Sequence, residues 1–426
     1  MKEIPVRVLP ISKMAEQLIG SEIIKLAGEV KRKIEEGEKI YNLTIGDFDP
    51  SIFNLPSTFK NEIVNAYQEG HTNYPMANGM PELREAISSF LMERGGLDYG
   101  AAEILVSSGS RPLIYATYAC LVDPSDKVIF PVPSWNNNHY SHLMRGKAVM
   151  VQTLAEDNFM PTAMALKPHL KDATLLALCS PLNPTGTVFT PENLAEICDL
   201  VLEENDRRPD DAKPLYVLYD QIYWNLTYGD VSHTDPVSLR PEMRDYTVFI
   251  DGMSKAFAAT GVRVGWGYGP MPIIQKMKSI LSHIGAWSPK AEQVAASRYL
   301  ADLDQVDQDI DQMKVAISDR LDRFYKGFSA LKQAGFPVDT IVPQGALYLT
   351  VRFDVMGKST PDGEVLDSMK EVTAFLLEKA GVALVPFYAF GAPKDSPWFR
   401  LSVGTTKMED VDKIVDQVGH ALTMLH

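Results

Sequence analysis

Five separated segments of this 426-residue chain end a short apolar run with a side chain capable of chemistry. LVSSG is followed by Ser110 and Arg111, VIFPVPS by Trp135, and LLALCSPL by Asn183, Pro184, Thr185 and Gly186. LYVLY ends at Asp220, with Tyr223 close behind it, and VFI leads into Asp251, Gly252, Met253, Ser254 and Lys255. An amide, a carboxylate, a phenol, an amine and an indole thus stand at the carboxyl ends of strands, the edge at which open α/β sheets bind ligands. Each alone has an ordinary reading. Trp135 suits a core, Asp220 can cap a helix, Tyr223 can pack, and Lys255 and Arg400 can be solvated or paired at a surface, as most lysines and arginines are. Convergence on one rim is what raises them above that.

The chemistry that needs this set is that of pyridoxal 5′-phosphate. A lysine amine must bond the cofactor aldehyde. A carboxylate must face the pyridine nitrogen and keep it protonated, so that the ring accepts electrons. An amide and a tyrosine suit the phenolate oxygen, and a flat aromatic suits the ring face. The phosphate wants a glycine turn opening a helix and an arginine. SSGSRPLIYATYACL meets that requirement: Gly109 follows a strand, Ser110 can cap, and Pro112 suits a first helical turn.

Seven strand candidates position these groups: Ile104–Val106, Lys127–Val132, Ala148–Gln152, Thr174–Leu178, Leu215–Tyr219, Val248–Ile250 and Val264–Tyr268. Most are continuous apolar runs, the signature of a mostly parallel sheet covered on both faces. Helical segments such as Pro191–Glu204 supply the crossovers. A helical pattern from about Ser21 to Glu36 precedes the sheet region, and a long helical stretch from Pro289 to Ala334 follows it. GALYLTVRF, a helix at Ser368–Ala380, ALVPF, WFRLSVG and a terminal helix from Met408 read as a second α/β unit, against which the N-terminal helix packs. The expected fold is α/β: a three-layer αβα large domain with a mostly parallel seven-stranded sheet, residues 51–310, and a smaller α/β domain formed by both chain ends, residues 1–50 and 311–426.

The bulk composition narrows the partners. A net charge of −14 repels nucleic-acid backbones, while a small anion feels only local charges. Cys120, Cys179 and Cys198 have no metal-ligand spacing and read as core residues, and thiols without a disulfide framework suit a reducing compartment. The eight histidines show no pairing that suggests metal ligands. The N-terminal MKEIPVRVLP carries Lys2, Glu3 and Arg7 and no apolar core of a signal peptide. No apolar run is long enough to span a bilayer. A cytoplasmic protein acting on small molecules, without nucleic acid, membrane or metal, is the expectation.

NYPMANGMPELREAI, SPLNPTG, YDQIY and SKAFAATGVRVGW, in this order along the chain, make it resemble fold-type-I pyridoxal-phosphate enzymes, specifically class I/II aminotransferases of the aspartate aminotransferase-like kind. The likeness runs from LTIGDFDP to WFRLSVG. It implies that Lys255 holds the cofactor as a Schiff base and moves the substrate proton. Asp220 would be the pyridinium partner, Tyr223 and Asn183 the groups on the phenolate oxygen, and Trp135 the stacking aromatic. Gly109, Ser110, Arg111, Ser254 and Arg263 fall at phosphate-contacting positions. Tyr74 matches a tyrosine that reaches the phosphate of the neighbouring subunit, so a homodimer with shared sites is implied. Arg400 would bind the substrate α-carboxylate, a task for a planar fork, with Asn183, Gly46 and Trp135 lining the same pocket. The implied reaction moves the amino group of an L-amino acid to a 2-oxo acid by a ping-pong path.

Two positions depart from the family pattern. Gly252 stands where many relatives have a serine, which shifts one phosphate contact, for instance to Ser254. Trp287 in SHIGAWSPKAEQVAA is large for its place and is expected to narrow the substrate pocket or alter the dimer contact. A C–S β-lyase on the same fold uses the same lysine and aspartate and is the nearest alternative; a non-catalytic ligand-sensing module is a distant one. The amino donor is left open, because no arginine for a second carboxylate stands out.

Overall fold

The computed structural model describes residues 10–426 apart from 19, 21 and 136. Residues 1–9, on which the absence of a leader was argued, lie outside the described residues. Ten helices of eight residues or more are described: α1 Glu22–Glu35, α2 Ser57–Gln68, α3 Pro81–Gly95, α4 Ser110–Leu121, α5 Pro191–Asp206, α6 Met271–Ile284, α7 Lys290–Leu300, α8 Leu303–Gln333, α9 Met369–Lys379 and α10 Val411–Leu422. The seven expected strands form one sheet: β1 Ile104–Ser108, β2 Lys127–Val132, β3 Lys147–Gln152, β4 Ala173–Cys179, β5 Tyr216–Asp220, β6 Thr247–Gly252 and β7 Val264–Tyr268. Their order is β1-β7-β6-β5-β4-β2-β3. Only β7 runs antiparallel to its neighbours, so the sheet is mostly parallel.

Strand alternation explains why these runs read as uniformly apolar. Ile104, Val106, Ile129, Leu176, Leu178, Val217, Tyr219 and Phe249 face a core shared with α2, α3, α5 and α7. Leu105, Val128, Phe130, Leu175, Ala177, Leu218, Val248 and Ile250 face the opposite side, covered by α4 and α6. Successive side chains point to opposite faces, and with helices on both faces each needs to be apolar. The result is the three-layer αβα arrangement.

A second sheet contains β8 Val338–Thr340, β9 Tyr348–Phe353, β10 Val385–Pro386 and β11 Trp398–Ser402, all antiparallel, in the order β10-β11-β9-β8. Its core takes Leu43, Phe48 and Phe53 from the front of the chain and Val411, Ile414 and Val418 from the end. α1 joins it, with Val30 against Leu377 and Ala383. α8 links the cores: Val306 and Ile310 belong to the first, and Met313, Ile317, Leu321, Phe324 and Phe328 to the second.

The long stretch from Pro289 to Ala334 is not one helix. It breaks at Ala301, where Asp302 accepts a hydrogen bond from the Gln305 N–H and caps α8. No described helix is long and apolar enough to cross a membrane.

Candidate active site

Between the sheet's carboxyl edge and the second core lies a cavity of about 630 Å³. Eleven of the thirteen residues singled out from the sequence line it: Gly46, Ser110, Arg111, Trp135, Asn183, Asp220, Tyr223, Ser254, Lys255, Arg263 and Arg400. Gly109 sits just behind it and Tyr74 does not line it.

Lys255 follows β6 in a tight turn, and its Nζ donates to the Gly46 carbonyl at 2.6 Å. Burial lowers its pKa to about 8, with Asp47 opposing and Arg400 and Arg111 reinforcing the shift. Asp220 ends β5 and accepts from the Ile222 N–H at 3.2 Å. Burial pushes its pKa up to about 6, against that hydrogen bond and the Lys255 charge. A buried amine drawn toward neutrality and a carboxylate held part-way to ionisation thus share one wall. The Lys255 Nζ is 5.7 Å from the centre of the Tyr223 ring, and the Tyr223 hydroxyl meets that of Tyr348 at 2.7 Å.

At the other end Gly109 caps α4 with φ 84°, a conformation suited to glycine. A Cβ there would come within 2.2 Å of Arg263 Nη2. Arg263 is tied down through Nη1 to the Thr260 carbonyl at 2.6 Å and through Nη2 to the Ser108 carbonyl at 2.9 Å. Its guanidinium therefore lies against the first turn of α4, whose free backbone N–H groups favour an anion. The Arg111 guanidinium lies 5.3 Å from the Trp135 ring centre.

Arg400, central in β11, is 2% exposed. Nη1 donates to Asn183 Oδ1 at 3.0 Å and Nη2 to the Thr44 carbonyl at 2.6 Å. Its Nε is buried without a partner. The cation faces the rings of Tyr348 and Phe390 at 4.7 and 5.0 Å. Gly46 keeps the approach open, since a Cβ there would fall 2.7 Å from the Tyr348 hydroxyl.

The residues present fit pyridoxal phosphate. The lysine amine has no carboxylate within ion-pair distance among the described residues. A buried carboxylate stands free for a cationic ring nitrogen. The bare glycine turn beside Arg263 suits a phosphate, and the orphaned Nε of Arg400 awaits an acceptor.

Several site residues escaped the sequence reading. Asp47, in the IGDFDP stretch, accepts from Thr260 Oγ1 at 2.6 Å and raises the Lys255 pKa. Tyr348 holds Tyr223, and Cys179, read as core, lines the cavity beside Asp220, its register partner in β5. Its thiol is pushed well up by burial. The usable signal was the lone polar group inside an apolar strand, as in GALYLTV. Of the two roles expected for Trp287, narrowing the substrate pocket or altering the dimer contact, the first is not met within this chain: Trp287 does not line this cavity. It follows the left-handed turn at Gly285 (φ 66°) and meets Tyr74 edge-on at 5.2 Å in a separate cavity of about 700 Å³. Tyr74 is 82% exposed there.

Gly252 has a packing reason. It pairs with Gly265 across β6 and β7, and a Cβ would meet the Gly265 Cα at 2.8 Å. A serine has no room, and Ser254 is the hydroxyl that lines the cavity.

The sequence profile described as "Aminotransferase class I and II" matches residues 38–418. Aspartate aminotransferase of Geobacillus stearothermophilus is 31% identical over 96% of this chain and 98% of its own length. That of Rhizobium meliloti strain 1021 is 30% identical over 91% of this chain and 90% of its own. The crystal structure of an aspartate aminotransferase from Rhizobium meliloti superposes with a TM-score of 0.89 at 27% identity, covering 98% of this chain and all (100%) of that one. These likenesses favour neither a β-lyase nor a ligand-sensing module. The chain belongs to the class I and II aminotransferases, and it is a pyridoxal-phosphate-dependent enzyme that transfers amino groups between amino acids and 2-oxo acids.

Proposed function

We propose that transamination takes place in the 630 Å³ cavity with Lys255 as the cofactor-holding and proton-moving residue. One observation carries this reading: a buried amine without a carboxylate partner lines the same cavity as Asp220, Asn183, Tyr223, Arg263 and Arg400. When bound, the cofactor supplies an aldehyde that condenses with an amine and a ring that draws electron density from the substrate Cα.

The residues do the rest. Arg263, Ser110, Arg111, Ser254 and the Gly109 turn would hold the phosphate. Asp220 would ionise against the ring nitrogen, Tyr223 and Asn183 would donate to the phenolate oxygen, and Trp135 would cover the ring face. Arg400, already hydrogen-bonded to Asn183, would fork onto the α-carboxylate, beside Gly46. That anchor fixes the Cα–H bond toward Lys255, whose Nζ takes the Cα proton in its neutral form. A pKa lowered to about 8 makes that form accessible near neutral pH.

We further propose a cytoplasmic homodimer in which Tyr74 reaches the partner's phosphate site. Supporting it are the exposed Tyr74 ring and the buried, unpartnered Nε1 of Trp287 beside it. The chain would divide into a large unit, 51–310, and a small unit from 1–50 and 311–426.

The test is the visible absorption of the holoenzyme. Amino acids alone should convert the cofactor band to that of its amino form, and Lys255→Ala should abolish both band and turnover. An unchanged band in that variant sinks the lysine assignment.

A further inference from the structure

Resting on the reading that Arg400 anchors the substrate carboxylate beside Lys255, we infer that the amino donors are amino acids with uncharged, apolar side chains, selected by Ile23, Ile24 and Ala27 of α1 together with Ile45. All four line the active-site cavity. The 23, 24, 27 spacing puts the α1 residues on one stripe of the helix.

This stripe continues a wall that starts at the anchor. The Phe390 ring lies 5.0 Å from the Arg400 guanidinium and 6.4 Å from the Trp135 ring. Ile23 and Trp135 pack against the apolar cluster that contains Phe390. A side chain leaving the Cα near Lys255 therefore runs along Trp135 toward isoleucines. Ile24 is 73% exposed and Ile45 38%, so an apolar substrate side chain removes their surface from water as well as its own.

No cation of the helix waits for a substrate carboxylate at this mouth. Lys25 is paired with Glu22 at 2.6 Å, and neither lines the cavity. Of the cations that do, Arg263 and Arg400 have their anions and Lys255 its chemistry. Arg111 sits in the first turn of α4, over Trp135, at the phosphate end. A side-chain carboxylate would be pressed onto isoleucine, losing water without gaining a partner from this protomer. In this respect the chain departs from what the names of its aspartate aminotransferase relatives lead one to expect.

The holoenzyme's half-reaction, followed by cofactor absorbance with alanine, leucine, methionine, phenylalanine, aspartate and glutamate, tests this. Leucine, methionine or phenylalanine should exceed aspartate and glutamate in kcat/KM by about tenfold or more. Calorimetry on the same holoenzyme should find 4-methylpentanoate binding more tightly than succinate. Ile23→Asn, and Ile24→Asn at a position exposed enough to leave folding intact, should each lower the leucine-to-alanine ratio of kcat/KM about tenfold. Aspartate or glutamate reacting fastest overturns the inference, gives the side-chain carboxylate to Arg111, and leaves the aminotransferase reading standing. A ratio unmoved by both variants overturns the role of the isoleucines. Conversion by no amino acid overturns the inference and the functional reading together.

Discussion

The amine of Lys255 reaches across 209 residues of sequence to the carbonyl of Gly46, at 2.6 Å. A carbonyl is a weaker partner than a carboxylate for an ammonium group, and burial takes the amine's pKa from its ordinary 10.5 to about 8. The unfolded chain therefore binds the extra proton between about pH 8 and 10.5, so the cofactor-free protein gains stability as pH rises through that window and carries the full penalty below it. Lys255→Met should raise the stability of the cofactor-free protein at pH 7 by about 1–3 kcal/mol, in denaturant unfolding, while abolishing turnover. A variant no more stable than the parent would show that burial of the amine is not the cause of its shift.

Asp220 has the opposite sign. Its folded pKa, about 6, lies above the unfolded value, so the folded cofactor-free protein binds more protons between about pH 4 and 6 and loses stability as pH rises through that window. A cationic ring nitrogen needs the ionised carboxylate. Cofactor affinity should weaken about tenfold per pH unit below 6, read by fluorescence titration, and Asp220→Asn should flatten that dependence while removing most turnover. A parallel pH profile in the variant would assign the titration elsewhere.

The Tyr223–Tyr348 hydroxyl pair, at 2.7 Å, is buried. Tyr348→Phe removes one partner and keeps the ring under Arg400. A loss of about 1 kcal/mol of positioning, five- to tenfold in kcat, is expected, with KM little changed and a shift in the pH at which the bound cofactor's spectrum changes. An unmoved spectral transition would reduce Tyr348 to a packing role.

Arg400→Lys keeps the charge and loses the fork. The drop in kcat/KM for amino acids should be about 100-fold, or about 3 kcal/mol. Simple alkyl amines, which have no carboxylate to anchor, should react at a rate much less affected, and an equal loss for both would mean that the substitution disturbs the cavity as a whole.

Gly252→Ser puts a side chain into a gap where a Cβ would lie 2.8 Å from the Gly265 Cα. A stability loss of about 1–3 kcal/mol is expected, without any gain in phosphate affinity. Tighter cofactor binding in a stable variant would show that the strands can part.

Much of this was legible in the sequence because both sheet faces are covered. Leu105 and Val106 had to be apolar for opposite reasons, and the first polar residue after each run marked the rim. What stayed hidden depends on distant segments meeting. Asp47 gains its place only because Thr260 comes to it, and Tyr348 matters only once β9 lies across from Tyr223. Ile23 and Ile24 read as ordinary members of an amphipathic helix, and no local pattern says that one turn of that helix overhangs a cavity. The place of Trp287 outside this chain's own cavity is hidden for a similar reason: it follows the backbone turn at Gly285, which its size alone does not announce.

Gly109, Gly265 and Gly252 lie side by side in three neighbouring strands' ends. A Cβ on Gly265 would strike the Gly109 backbone at 2.5 Å, as one on Gly252 would strike Gly265. The span between the Lys255 turn and the Gly109 turn is therefore gauged by bare main chain at these three glycines. With the cofactor held as proposed, between these two turns, side-chain substitutions reach the mouth of the cavity but not this gauge, and a cofactor of another length would require a different sheet.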